Sequence, residues 1–288
     1  MGCKYWRAAV SVVRRVGRAV RRAGWSLRWT VLNRFPPRRQ CYICRRRFRR
    51  FYPYRDGMKS ITPFLLKLGV VGSDVINFGC PFCHSSDRER HLFLYFDRLR
   101  LWDGVRDAAV LHFAPEPHLS WRIKSCGPRQ YVTADLYPDH LHARDHAVER
   151  QDVTDIAAPA DTFDLLICNH VLEHVTDDRR ALSEVHRVLK PGGLAVLQTP
   201  YSTVLTRSIE DPGIATDRLR LEVYGQEDHV RLYGADFLDR IQAVGLRLRL
   251  RRHRDVSTDA EAAYYGMNPV EDLILVEKPT IPRGPYAS

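Results

Sequence analysis

Asn169-His170-Val-Leu-Glu173-His174 gathers two imidazoles, an amide and a carboxylate into one short run. The H-x-x-E-H spacing is that of an inverted metalloprotease motif, whose chemistry needs both histidines on one face of a helix. Here the run directly follows Phe163–Cys168, a short apolar stretch that reads as a strand buried on both faces. It therefore falls at the carboxyl edge of a sheet, where α/β proteins bind ligands. A protease zinc site is set aside on that ground.

A second group of chemistry-bearing residues is Cys41-Tyr-Ile-Cys44, then a long gap, then Cys80-Pro-Phe-Cys83. Two C-x-x-C knuckles can each present two thiolates to one tetrahedral ion, so the four cysteines predict structural zinc. A redox dithiol would need a thioredoxin-like context that the sequence lacks. Four thiolates leave no open position, so this zinc holds structure. His84 and His91 are spare ligands that the reading assigns to solvent or substrate. Seven cysteines, four of them in these pairs, point to a reducing compartment and a cytoplasmic location over a disulfide framework.

The elements that must position these groups follow from periodicity. Asp177 and Asp178 open a helix in which Leu182, Val185, Val188 and Leu189 recur at helical spacing. Lys190-Pro191-Gly192-Gly193 stops it, and Leu194–Gln198 is the next strand. Ala108–Ala114 and Gln130–Leu136 read as earlier buried strands. Leu246–Leu250 and Asp272–Glu277 read as the last two. Ser85–Leu99 starts as a helix linking the cysteine module to the main domain, and Ile61–Val71 is a short helix or strand. Asp135 lies about 20 positions beyond the first turn, where nucleotide folds bind ribose hydroxyls.

Charge is segregated. Up to Arg55 there are 17 Lys or Arg and no Asp or Glu; the remaining 28 of the 45 basic side chains share the chain with all 34 acidic ones. Residues 4 to 34 read as a basic amphipathic helix carrying Trp6, Trp25 and Trp29. Such a segment suits an anionic membrane surface, with peripheral association at an inner membrane, or RNA phosphates; a solvated tail is the plain alternative. No apolar run approaches the roughly 20 residues that span a bilayer.

FDLLICNHVLEHV followed by RVLKPGGLAVLQTP resembles the fourth and fifth strands of class I methyltransferases that use S-adenosylmethionine. CPFCHSSDRERHLFLYF, LHFAPE and EDHVRLYG resemble a bacterial group of these enzymes with a zinc-knuckle module. The resemblance implies an α/β, Rossmann-like, seven-stranded, mainly parallel sheet behind an N-terminal zinc-binding module. With the basic segment, the chain reads as three regions: the basic segment at 1–38, the zinc module and linking helix at 39–100, and the methyltransferase domain at 101–288, with a lid insert around 201–232.

It also implies site roles. Phe113, Ala114 and Glu116 stand at the first turn, which lacks the usual glycines; Glu116 would accept from the cofactor's ammonium group. Asp135 would take the ribose hydroxyls and Asp152 the adenine amino group, unless Asp152 is only a helix cap. Asn169 and His170 would lie near the methionine part. His174 and His229 would face the acceptor as bases, or His174 would merely shape the pocket. Arg88, Arg90 and Arg231 would contact an anionic acceptor, or be surface charge. The implied activity is methyl transfer to an oxygen, nitrogen or carbon; the histidine and arginine expected at the pocket mouth favour O-methylation of a polar small molecule or glycan precursor. Two readings stand beside it: an RNA methyltransferase gripping phosphates through the basic segment, and a non-catalytic binding protein.

Overall fold

The computed structural model describes residues 37–140 and 147–280. The basic segment at 4–34, with its membrane and nucleic-acid readings, lies outside the described residues. The centre of the molecule is a sheet of seven strands: β1 (Ala109–Phe113), β2 (Gln130–Asp135), β3 (Glu149–Arg150), β4 (Phe163–Cys168), β5 (Leu189–Val196), β6 (Arg247–Leu248) and β7 (Leu275–Glu277). Their spatial order is β3-β2-β1-β4-β5-β7-β6. All pairs are parallel except those of β7, which runs antiparallel to β5 and β6. This is the Rossmann-like arrangement the sequence implies. Strand order reverses between β1 and β4, so a crevice must open at their carboxyl ends.

Alternation along the strands sorts side chains to two covered faces. Leu111, Phe113, Leu166 and Ala195 meet helices α3 (Asp178–Val188) and α5 (Asp236–Ala243) through Leu182, Val185, Phe237 and Ile241. Val110, Ile167 and Val196 meet α1 (Asp87–Arg98) and α2 (Pro117–Ser125) through Leu94, Phe96, Leu119 and Ile123. Asp177 caps α3, its side chain accepting from Arg180 N. The turn expected at Lys190–Gly193 lies inside β5. Phe163 pairs with Leu189 but Leu165 with Leu194, so the extra residues bulge from the ladder. Gly192 sits at φ +83°, and a Cβ on Gly193 would come within 2.8 Å of Lys190 O.

The cysteine module packs on the body through α1. A capping box starts this helix: Ser86 Oγ accepts from Glu89 N at 3.2 Å and Glu89 Oε2 from Ser86 N at 3.1 Å. Both Val70–Val71 and the helix Pro63–Lys67 fall within the short segment of uncertain type. Val70–Val71 pairs with Tyr201–Ser202 at the start of the insert, and Leu65 packs with Tyr224 and Leu232. The helix α6 (Asp259–Tyr265) covers the cysteine module: Tyr42 and Tyr265 rings meet at 5.0 Å. Among the described residues, no helix is long and apolar enough to cross a membrane.

Arg90 holds the three parts together. Its side chain is fully buried and donates to five backbone carbonyls: Asn77, Phe78 and Ser85 from the module, Tyr265 and Gly266 from the end of α6. It also lies 4.0 Å over the Phe51 ring. A guanidinium engaged in this way has no donor left for an acceptor molecule, so the substrate role implied for Arg90 is replaced by a structural one. Arg88 is only half-buried. Arg90→Leu leaves several carbonyls unpaired and is predicted to cost at least about 3 kcal/mol in urea unfolding, whereas Arg88→Leu stays within about 0.5 kcal/mol.

Candidate active site at the strand tips

The two cysteine knuckles are built alike. Cys41 N donates to Arg46 O and Arg45 N to Cys41 O; Cys80 N donates to Ser85 O and His84 N to Cys80 O, all at 3.0 Å. Each loop turns back through a left-handed residue, Arg45 at φ 59° and His84 at φ 62°. The sulfurs converge: Cys41 Sγ lies 3.7 Å from Cys83 Sγ and Cys44 Sγ 3.8 Å from Cys80 Sγ. Zinc–sulfur bonds of about 2.3 Å give a tetrahedron with edges of about 3.8 Å. The donor set and its spacing therefore fit a zinc ion. Of the spare histidines, His84 is exposed, and His91 is buried with Nε2 2.7 Å from His253 Nδ1.

At the crevice, β1 ends at Phe113 and the chain turns through Ala114 at φ 46°. Ala114 N donates to Ala134 O at 2.8 Å, and Pro117 starts α2 with Glu116 at the N-cap. A methyl side chain is the least that an L-residue can carry here, which keeps the backbone accessible without glycine. Phe113 itself is buried in the core and offers the crevice only its backbone.

Glu116 is the hub of this end. One carboxylate oxygen lies 2.6 Å from His112 Nε2, and the other accepts from Asn169 Nδ2 at 3.1 Å. Burial pushes its carboxyl up, but His112 and the Asn169 amide outweigh that and hold it below the usual carboxylate range. Glu116 and Asn169, from the tips of β1 and β4, thus meet across the switch point. His112 is fully buried, with Nδ1 2.9 Å from the Tyr131 hydroxyl.

Asp135 ends β2. One oxygen accepts from Tyr137 N at 2.7 Å, and the second has no partner among the described residues. Asp152 is exposed in a tight turn, accepting from Thr154 N and Oγ1 at 2.8 Å. It caps no helix, and the described third strand lies just before it.

The H-x-x-E-H run is not a regular helix. His170 is left-handed at φ 55°, and only Leu172–His174 forms a turn of 3-10 helix. His170 and His174 accordingly do not share a helix face. The turn instead meets a distant segment: Val230 N donates to Glu173 O at 2.9 Å, and the His174 and His229 rings stand edge to face at 4.7 Å. Glu173, His174 and His229 each bring one ligand atom within 4.8 Å of the others.

Glu173 is 2% exposed, and its Oε2 accepts from Thr199 Oγ1 at 3.0 Å. His170 Nδ1 lies 3.4 Å from Glu173 Oε1. Burial pushes the Glu173 carboxyl up, but His170, His229 and His174 together hold it down to about 2. Burial lowers His229 from the usual imidazole range, against the opposing pull of Glu173.

Arg231, two residues beyond His229, also faces this turn, yet it is 4% exposed. It donates to Leu172 O, Val175 O and Thr176 O and pairs with Glu210 at 3.0 Å. It lines a cavity of about 590 Å³ between the start of α3 and Glu210–Pro212. Its guanidinium is engaged with protein, so it shapes the turn that carries Glu173 and His174. The sequence reading left out two residues of this region, Glu173 and His112. The H-x-x-E-H spacing already contained Glu173, and period-two alternation puts His112 on a buried strand face.

Residues 109–197 match the sequence profile of a family described as a methyltransferase domain. Among curated proteins the chain has no match. Similar solved structures include an S-adenosylmethionine dependent methyltransferase from Mesorhizobium loti, 20% identical, covering 64% of this chain and 97% of that one, with a TM-score of 0.45. Another is the YcgJ protein from Bacillus subtilis, 14% identical, covering 65% of this chain and 99% of that one, with a TM-score of 0.42. Likeness at this level speaks neither to substrate nor to residue roles.

The geometry predicts one tightly held zinc per chain by metal analysis of protein purified without added metal. Cys80→Ser is predicted to lose that zinc and to lower the thermal midpoint by several degrees, since the module then loses the ion that closes it. Retention of zinc by Cys80→Ser would contradict the assignment.

Proposed function

We propose that this chain, an S-adenosylmethionine-dependent methyltransferase through its domain at residues 109–197, methylates a hydroxyl oxygen of a polar small molecule or glycan precursor. The observation that supports the acceptor side is the Glu173, His174 and His229 cluster beside the strand tips. When bound, S-adenosylmethionine supplies a methyl group on a sulfonium, whose sulfur keeps the electron pair as the new carbon–oxygen bond forms. What remains for the protein is binding, alignment, exclusion of water and management of one proton.

Each end of the crevice suits one part of that cofactor. Glu116, ionised and steadied by His112 and Asn169, is a carboxylate acceptor for an ammonium group. The unpaired oxygen of Asp135 suits a ribose hydroxyl. Asp152 keeps one oxygen beyond its turn bonds and suits an amino group. Ala114 lets the backbone lie close to the ligand, and the His170 backbone, which donates to Gln198 O at 2.6 Å, fixes the rim between them.

A hydroxyl is a poor nucleophile until its proton is withdrawn. His229 Nδ1 faces Tyr224 O at 3.1 Å, and His174 Nδ1 faces Asp228 O at 3.3 Å. In each ring the proton belongs on Nδ1, and Nε2 keeps a lone pair. The cluster can therefore receive the acceptor's proton, an effect typically worth 10²–10⁴-fold. The zinc of the cysteine module takes no part in this chemistry, because four thiolates close it.

Calorimetry of the zinc-loaded protein with S-adenosylmethionine tests the cofactor side. Glu116→Gln and Asp135→Asn are each predicted to weaken binding about tenfold or more, roughly 1.4 kcal/mol. Absence of binding by the unaltered protein overturns the reading. On the acceptor side, labelled methyl donor and mass spectrometry of cell extract identify the product. His174→Ala is then predicted to lower turnover at least about 100-fold while leaving cofactor affinity within about twofold.

A further inference from the structure

We infer that Glu173, His174 and His229 form a binding site for one divalent transition-metal ion, and that the acceptor is a molecule that chelates this ion through two neighbouring oxygens. The clause about the acceptor rests on the methyl-transfer reading above; the metal site stands without it.

Three donor atoms converge from two separate parts of the chain. Glu173 and His174 stand on the turn after β4, and His229 comes from the segment before α5. Their ligand atoms lie within 4.8 Å of one another. Metal-ligating groups are usually oriented by a second set of hydrogen bonds, and all three have one. His229 Nδ1 faces Tyr224 O at 3.1 Å, His174 Nδ1 faces Asp228 O at 3.3 Å, and Glu173 Oε2 accepts from Thr199 Oγ1 at 3.0 Å. These bonds leave Nε2 as the available ligand atom of each imidazole, while Glu173 Oε1 also lies 3.4 Å from His170 Nδ1.

The charge argument is independent of that geometry. Glu173 is 2% exposed, yet among the described residues its ion-pair partner is His170 alone, at 3.4 Å. Among the described residues no lysine or arginine pairs with it, and only imidazoles answer its charge. A carboxylate withdrawn so far from water needs a positive partner. The His170 ring atom that approaches it is itself buried without a hydrogen bond. A cation between Glu173, His174 and His229 supplies the missing charge.

The donor set also states which ion and what for. Two imidazoles and one carboxylate suit zinc, cobalt, iron or manganese better than calcium or magnesium. Three protein ligands leave positions open, the pattern of sites that act on a substrate, unlike the closed four-cysteine site. His174 is 31% exposed on its side chain, so the open side is reachable. When bound, such an ion would take the imidazole lone pairs, so these rings would no longer serve as bases; it would instead acidify a coordinated hydroxyl, whose proton would pass to water. On a five- or six-coordinate ion three protein ligands leave at least two positions open, which favours a vicinal diol or a hydroxy acid over a lone alcohol.

The test uses the full chain with its four-cysteine site filled by zinc, titrated with cobalt(II). One further equivalent is predicted to bind, seen as weak visible absorption without a cobalt–thiolate band. Two exchangeable imidazole N–H protons should shift far downfield in the proton spectrum. Glu173→Gln and His174→Ala should each weaken binding at least about tenfold, and Thr199→Val about tenfold by loosening the carboxylate. Circular dichroism and retained zinc show that the variants are folded. No cobalt binding at millimolar concentration, uptake only with a thiolate band, or equal binding by both ligand variants overturns the site. If cobalt binds as predicted but turnover of the acceptor is unchanged after its removal, the acceptor clause fails while the methyl-transfer reading survives. Loss of S-adenosylmethionine binding would instead sink that reading and leave the metal site intact.

Discussion

The contact between Glu116 and Asn169 is the constraint on which the crevice depends. These residues come from the tips of two strands that are adjacent in space but separated in sequence by two further strands. Only a sheet whose order reverses between β1 and β4 brings them together. Asn169 is held in turn by the next strand, its Oδ1 facing Gln198 N at 3.4 Å, and His112 holds Glu116 from within β1. A shift of one residue in the register of β1 against β4 would send Asn169, His112 and the whole apolar alternation to the wrong faces. The core therefore fixes the polar site, because Leu111 and Ile167 cannot change sides without losing their helices.

A second level of organisation is electrostatic. Arg231 and Arg240 share Glu210 and Asp178, and Arg240 also pairs with Asp236 at 3.0 Å. Burial pushes the Arg231 and Arg240 side chains toward the neutral form, but the carboxylates, preceded at Arg231 by Tyr233, more than reverse that and raise both. The network ties the start of α3 and the 201–232 segment to the turn carrying His174. Breaking one partner in such a buried set leaves an uncompensated charge, which is costlier than the pair is stabilising. The turn carrying His174 is thus positioned by ion pairs, and the Glu116–Asn169 crevice by strand register.

Much of this was legible in the chain. The stretch from Phe163 to Pro200 announced strand, turn, helix and strand, because each local preference agreed with the tertiary outcome. The cysteine spacing named the four sulfurs that converge. The failures have physical causes. Arg90 reads as surface charge beside Arg88, but α1 is buried nearly all round between the module and the sheet, so helical charge there is internal. Lys190–Gly193 does end the helix and needs its glycines, yet its flanks pair with β4, so it forms a bulge in a strand. His229 could be suspected from residue type, but its meeting with Glu173 depends on how the 201–232 segment folds back. No periodicity in the sequence encodes that return.

The account places the methyl donor across the tips of β1, β2 and β4. Ultraviolet irradiation of the zinc-loaded protein with methyl-labelled S-adenosylmethionine, followed by peptide mapping, tests this most directly. The account predicts label on peptides carrying Ala114–Pro117, Asp135 or Asn169–His174, and loss of that label with excess unlabelled cofactor. Saturable label confined to the cysteine module, or to the cavity beside Arg240, would contradict it.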